Sequence, residues 1–243
     1  MFQILVTEVQ TRYFAGYLTT LGYLRHTRPD LCVGIGVASQ FVKLGRHGPP
    51  HFRALRNIMR HAGTTKHYGL HFTSTFKSMT AAWLLKAKWD SDWATWKGSR
   101  RSRTGWLIWL NKCLIAFGSK LQPSVALSSA EAEYMALSHV IRILLWILNI
   151  IQSIPGQFVQ LPIKVHGDNK PAICLANNHA ASKYTRHIGM HHHFLRDYCE
   201  GGDKTFLLVW DKSEDNVADG MTKPKPRAKF IKFRDQVISD FEC

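Results

Sequence analysis

Two adjoining patterns most constrain what this chain can fold into. Residues 104–120, TGWLIWLNKCLIAFGSK, are rich in aromatic and branched side chains and read as paired strands. From about Ser129 to Ile151 the pattern changes to helical spacing, with Ala136, Leu137, Val140, Ile141 and Leu144 on one stripe. Neither element can bury its apolar face alone, so the pair predicts a sheet with a helix laid on it. Downstream, the spacing predicts a strand in LPIKVHGD, a helix in KPAICLANN, a strand in KTFLLVW and a last helix from Asn216. Strands first and then alternation of helix and strand indicate an α/β class, an α+β sheet with helices packed on it. Before residue 75 the character differs: apolar residues at helical spacing are interleaved with basic ones, and TRPD and AGTTKHYG read as breaks through Pro29 and Gly63. A small, basic, mostly helical segment therefore precedes the sheet. There is no internal repeat and no low-complexity tract.

With 32 Lys and Arg against 17 Asp and Glu, the formal charge is +15 and the pI about 9.8. That balance favours a polyanionic partner such as nucleic acid, although a membrane surface attracts the same charge. Cys32, Cys113, Cys174, Cys199 and Cys243 lie far apart, with an odd total and no CxxC, which argues against a disulfide framework or a cysteine-rich zinc site. The amino-terminal residues lack a secretory pattern. The most apolar stretch, VIRILLWILNII at 140–151, is interrupted by Arg142 and Asn149 and is too short to span a bilayer, so it reads as a buried helix. These features lead us to expect a protein inside the cell, cytoplasmic or nuclear, not secreted and not in a membrane.

At the head of the long helix two glutamates stand close together. Ser128 followed by Glu131 has capping-box spacing, with the serine oxygen taking a first-turn N–H and the glutamate reaching back to the cap. Glu133 points nearly the opposite way, onto the core-facing stripe, where it stays ionised only beside a cation or strong donors. A partly buried salt bridge and a metal both meet that need. Asp90, in KAKWDSDWA, has a turn aspartate as its ordinary reading and Asp92 as a competitor on the same strand face. Asp168 ends IKVHGDN, where Ile163 and Val165 face one side and Lys164, His166 and Asp168 the other; its ordinary role is a helix N-cap. Asp219, one turn into a helix, has favourable contact with the helix dipole. Taken together in a basic chain, the four fit a site where clustered carboxylates hold two divalent cations.

At these residues the sequence resembles the ribonuclease H domain of copia-type retrotransposon polyproteins. DSDWA, RTGWLIWL, SKLQPSVALSSAEAEYMAL, HGDNKPAICLANN, YTRHIGMHHHFLRD and NVADGMTKP stand in that family's order at compatible spacing. The resemblance covers roughly 85–235 and implies a ribonuclease H-like domain there. Residues 1–75 are similar to the partial carboxy-terminal, post-polymerase segment of the reverse transcriptase. The polymerase's aspartate-paired motif is absent, so no polymerase activity is expected.

The resemblance implies hydrolysis of the RNA strand of RNA–DNA hybrids, with Asp90, Glu133, Asp168 and Asp219 as catalytic and metal-binding residues. The implied cofactor is Mg²⁺, two ions with Mn²⁺ able to substitute: one makes a nucleophile of water, the other stabilises the departing 3′ oxygen. The implied partners are an RNA–DNA hybrid, gripped through its backbone and told from DNA by the 2′-hydroxyl, and the remainder of a retrotransposon polyprotein. Ser128, Ser129, Asn169, His187, His193 and Lys223 are candidate substrate contacts. Lys225, Arg227, Lys229 and Lys232 could track phosphates or form a solvated basic face. His187 and His191, four apart, with His192 and His193, have a spacing that could hold zinc, against which stands the lack of a completing cysteine or acid. The tryptophans Trp83, Trp89, Trp93, Trp106, Trp109 and Trp146 read as mostly core.

Three features weigh against activity. Arg103 stands where the resembled pattern has a small hydroxyl residue. Gly220 follows Asp219 in what reads as mid-helix, at a cost of about 1 kcal/mol relative to alanine. The loop VWDKSEDN carries no histidine, which the resembled pattern commonly lacks too, so this predicts slower turnover rather than inactivity. The chain also begins at a methionine inside the post-polymerase resemblance, as a fragmentary or decayed element would. The alternative expectation is a non-catalytic retrotransposon remnant that binds nucleic acid or has no activity.

Overall fold

The computed structural model describes residues 8–42, 48–73, 82–94, 98–177, 194–195, 197–199 and 204–240. In chain order come helices α1 (Glu8–Leu24), α2 (Cys32–Val42) and α3 (Pro49–Thr64) and strands β1 (Tyr68–Gly69), β2 (Leu85–Asp92), β3 (Arg103–Leu110) and β4 (Cys113–Leu121). Then follow α4 (Ser129–Gln152), β5 (Ile163–Gly167), α5 (Lys170–Asn177), β6 (Phe206–Trp210), α6 (Arg227–Val237) and β7 (Ser239–Asp240). The chain divides into two compact units, Met1–His71 with Pro224–Cys243, and Phe72–Lys223.

The first unit is helical. Pro29 opens a 3₁₀ turn, Pro29–Leu31, that runs into α2, and Pro49 occupies the first turn of α3, where a missing N–H costs nothing. Phe14, Leu18, Leu21, Leu31, Ile35, Ala38 and Leu55 form its core. Beneath them lies a buried polar network. Arg28 grips both carboxylate oxygens of Asp30 at 2.9 and 2.8 Å and donates to the Thr65 carbonyl, while His61 Nε2 lies 2.8 Å from Asp30 Oδ2. The break at TRPD is thus a tied junction. Residues 227–237, which the sequence reading grouped with the sheet segment, belong to this unit as α6.

The second unit is built on a five-stranded sheet in the order β4-β3-β2-β5-β6. β2, β3 and β4 are antiparallel neighbours; β2, β5 and β6 run parallel. The mixed α/β class read from the sequence is the class observed. Leu85, Ala87, Trp89, Ile108, Ile163, Val165, Phe206 and Leu208 present one apolar face, and α4 covers it with Ala136, Leu137, Val140, Ile141 and Leu144. α4 has the length and composition to cross a membrane, and 56% of its most apolar 18-residue window is buried within the protein. Gly167 has no side chain because the Trp89 indole fills the place where a Cβ would stand. The indoles are less uniformly interior than expected: Trp89 is fully buried, but Trp93 and Trp146 are exposed, Trp146 on the polar side of α4.

The last helix expected from Asn216 is instead two elements. A 3₁₀ turn, Val217–Met221, is capped by the Asn216 side chain, which accepts from the Ala218 N–H; Pro224 and Pro226 then separate it from α6. Gly220 therefore lies in a short turn, and the mid-helix cost does not apply. The turn packs on β3 at Gly105, where a Cβ would stand 2.7 Å from Met221 Cβ and 2.8 Å from Thr222 Cγ2.

Candidate active site

Asp90 lies on β2 opposite Gly105 in the β2–β3 ladder, 6% exposed. The turn seated on Gly105 delivers Thr222, whose hydroxyl donates to Asp90 Oδ2 at 2.8 Å. Glu133 sits in the first turns of α4, 4% exposed, and its Oε1 accepts the Ser91 N–H at 2.9 Å. Its Oε2 is buried without a hydrogen-bond partner among the described residues. Asp168 follows the end of β5 and is half-buried. One carboxylate oxygen from each of the three lies within 4.8 Å of the others.

Burial pushes the Asp90 carboxyl up to about 7; the Thr222 hydrogen bond opposes the rise, and the negative charges of Asp168 and Asp219 add to it. Burial, then the charge of Asp90, also drive Glu133 well above the carboxylate range, against the Ser91 N–H. Three carboxylates crowded in this way, one with an orphaned oxygen, are a hard-oxygen donor set whose negative charge exceeds that of the nearby Lys223 ammonium, which fits a divalent cation.

Asp219 stands outside this group of three. Its Oδ1 is 3.1 Å from Lys223 Nζ, and its side chain is about a third exposed. Lys223, expected as a phosphate contact, is thus paired with an acid; burial lowers its pKa, but Asp219 more than offsets this and the ammonium is held above its ordinary value.

The local roles assigned to neighbouring residues change in two places. Asn169, not Asp168, caps α5, its Oδ1 accepting the Ala172 N–H at 2.9 Å, so Asp168 carries no capping duty there. Ser128 caps α4 as expected, accepting from the Glu131 N–H at 3.1 Å, but Glu131 Oε2 reaches one residue beyond the cap, to the Leu127 N–H. Arg103, buried, directs Nη1 to the Ser119 hydroxyl at 3.3 Å. His187, His193 and the zinc spacing of His187, His191, His192 and His193 lie outside the described residues.

Sequence reasoning did not single out Thr222, Asn216, Lys88 or Asp211. Asn216 Nδ2 donates to the carbonyl of Trp89, the residue before Asp90, at 2.8 Å. Thr222 had a signal in NVADGMTKP, where a hydroxyl stands three residues after the acid. Asn216 had one in its N-cap position.

No protein-family model matches the chain. It is 29% identical over 224 residues to the Retrovirus-related Pol polyprotein from transposon RE1 of Arabidopsis thaliana, covering 92% of this chain. Pol polyproteins of two further transposons match at comparable coverage. Its sequence relatives thus include the retrovirus-related Pol polyproteins of copia-type transposons. It spans 15% of the length of the RE1 polyprotein. It is also 38% identical over 135 residues to Secreted RxLR effector protein 161 of Plasmopara viticola, 54% of this chain and 90% of that protein. Among solved structures, LC11-RNase H1 is 14% identical with a TM-score of 0.44, over 57% of this chain and 91% of that one.

Proposed function

We propose that the second unit is a nuclease that hydrolyses the RNA strand of RNA–DNA hybrids, acting inside the cell as part of a retrotransposon polyprotein. The observation that carries this reading is the convergence of Asp90, Glu133 and Asp168 within 4.8 Å in a chain of net charge +15. A basic surface draws in a polyanion, and a buried cluster of like charges needs cations to stay ionised. Asp90, Glu133 and Asp168 would hold Mg²⁺, with Asp219 at the rim. When bound, such an ion lowers the pKa of a water and stabilises charge on a phosphate ester.

The chain's own residues prepare the cluster. The Ser91 N–H and the Thr222 hydroxyl each occupy one oxygen of Glu133 and Asp90, which fixes the direction of the other oxygen. Ser128, Ser129 and Asn169 border the acids in sequence and suit contacts to the minor groove, where the 2′-hydroxyl marks RNA.

The test is cleavage of a labelled RNA–DNA hybrid with Mg²⁺, run beside Asp168→Asn and a double-stranded DNA control. The expected result is cutting of the RNA strand alone, lost in the variant. The rival reading, a remnant that binds nucleic acid without cutting it, is favoured by the Asp219–Lys223 pair, which engages the fourth acid with a lysine. Folded protein that binds the hybrid but leaves it intact with Mg²⁺ and with Mn²⁺ would establish that rival.

A further inference from the structure

The β2–β5 ladder pairs Lys86 with Lys164, Ala87 with Val165 and Lys88 with His166, and there it ends. Asp90 and Asp168 lie two residues farther on, on the same sheet face as Lys88 and His166, where no backbone pairing between β2 and β5 fixes their separation. A side-chain tie closes the ladder at that point. Asp211, immediately after β6, accepts from Lys88 Nζ on Oδ2 at 2.6 Å, and its Oδ1 lies 3.0 Å from His166 Nδ1. A carboxylate only accepts, so Nδ1 carries the hydrogen. The Asp211 N–H also donates to the Gly167 carbonyl at 2.9 Å, and the Trp210 indole N–H donates to the Asp168 carbonyl at 3.0 Å. Lys88 continues the connection by donating to the Asp215 carbonyl at 2.8 Å. The next residue, Asn216, caps the turn that carries Asp219 and Thr222.

We propose that Asp211, with Lys88 and His166, is a positioning hub that sets the spacing of Asp90 and Asp168 and the placement of the Asp219 turn. It touches none of the metal-facing oxygens and acts through the three backbone segments that present them. The Lys88 ammonium and the His166 Nδ1–H stand on neighbouring strands, and one carboxylate between them gives both a shared acceptor, which makes a three-way clamp. The inference rests on the reading of the acids as a cation site, and its test does not require hybrid cleavage.

Mn²⁺ affinity is measured by titration calorimetry for the wild type, Asp211→Asn and Lys88→Met, each checked by thermal melting to be folded at the assay temperature. Asp211→Asn removes the charge and one of the two acceptor oxygens, and Lys88→Met removes one donor arm, each with little change in volume. Loss of an outer partner of metal-holding groups weakens metal affinity by about 10–100-fold, and the hub predicts about tenfold or more in both variants. A purely structural tie lowers the melting temperature and leaves Mn²⁺ affinity at the wild-type value, which overturns the proposal. Equal Mn²⁺ binding in all three proteins overturns it whether or not the wild type cuts a hybrid. An affinity that depends on Asp211 in a protein that leaves the hybrid intact supports the hub and refutes the nuclease reading alone.

Discussion

Asp90→Asn is expected to make the metal-free protein more stable at pH 8, although it removes a charged group from the proposed cation site. Burial, with the charges of Asp168 and Asp219 nearby, raises the Asp90 carboxyl to about 7 from an ordinary 3.8. A carboxyl that holds its proton more tightly folded than unfolded favours folding at low pH. Its contribution declines as the pH rises from about 4 and levels off above about 7. A gap of about three units at 1.36 kcal/mol per unit sets a ceiling of about 4 kcal/mol at pH 8. Local relaxation and water around the half-buried Asp168 bring the expectation to about 2 kcal/mol. Asparagine keeps the shape, and its Oδ1 can still accept the Thr222 hydroxyl. The assay is urea unfolding with a chelator at pH 8 and pH 5. At pH 5 the folded wild type already carries the proton, so the gain should fall to about two fifths of its value at pH 8. A loss of stability at pH 8, or an equal gain at both pH values, would refute the reasoning.

Other perturbations separate the parts of the molecule. Asp30→Ala strands the buried Arg28 guanidinium and should cost the first unit about 3–5 kcal/mol, seen as lost hydrogen-exchange protection in α2 and α3. Burial raises the Asp30 carboxyl, but His61 and Arg28 more than offset this and hold it below 3.8. Its stabilisation is therefore complete at neutral pH and is lost as acid takes the pH below about 4 through the folded value; Asp30→Asn should flatten that acid limb. Gly105→Ala places a Cβ 2.7 Å from Met221 Cβ and should cost about 1–3 kcal/mol in denaturant unfolding while weakening Mn²⁺ binding, because the turn that delivers Thr222 must move. Ser128→Ala removes the α4 cap and should cost about 1 kcal/mol by thermal melting, whereas the exposed Ser129→Ala should cost little.

Much of this arrangement was legible in the residues. Periodicity placed Glu133 on the core stripe of α4 and Glu131 at the cap, because a helix puts residues two apart on nearly opposite faces. Alternation placed Asp168 on the same face as His166 for the same kind of reason. What periodicity could not supply was the competition for local roles. Asp168 and Asn169 are both good caps, and only backbone direction after β5 decides that Asn169 serves α5. Prolines 224 and 226 were visible, yet an apolar run resuming at Phe230 masked the break between the 3₁₀ turn and α6. The clamp at Asp211 joins residues 88, 166 and 211, and no local pattern reports a contact so distant in sequence.

Trp89 and Gly167 give the sheet a key and a keyhole. Trp89 is the residue before Asp90, Gly167 the residue before Asp168, and the indole occupies the space that any other residue at 167 would need. Sliding β5 along β2 by two residues in either direction would bring a residue with a Cβ under the ring, Asn169 one way and Val165 the other. A parallel pair otherwise has little to distinguish one register from the next, since a two-step slide leaves every side chain on its original face. The indole disfavours those alternatives, so strand assembly itself brings Asp90 and Asp168 to the same end of the pair, and the tie proposed at Asp211 acts on a register already chosen.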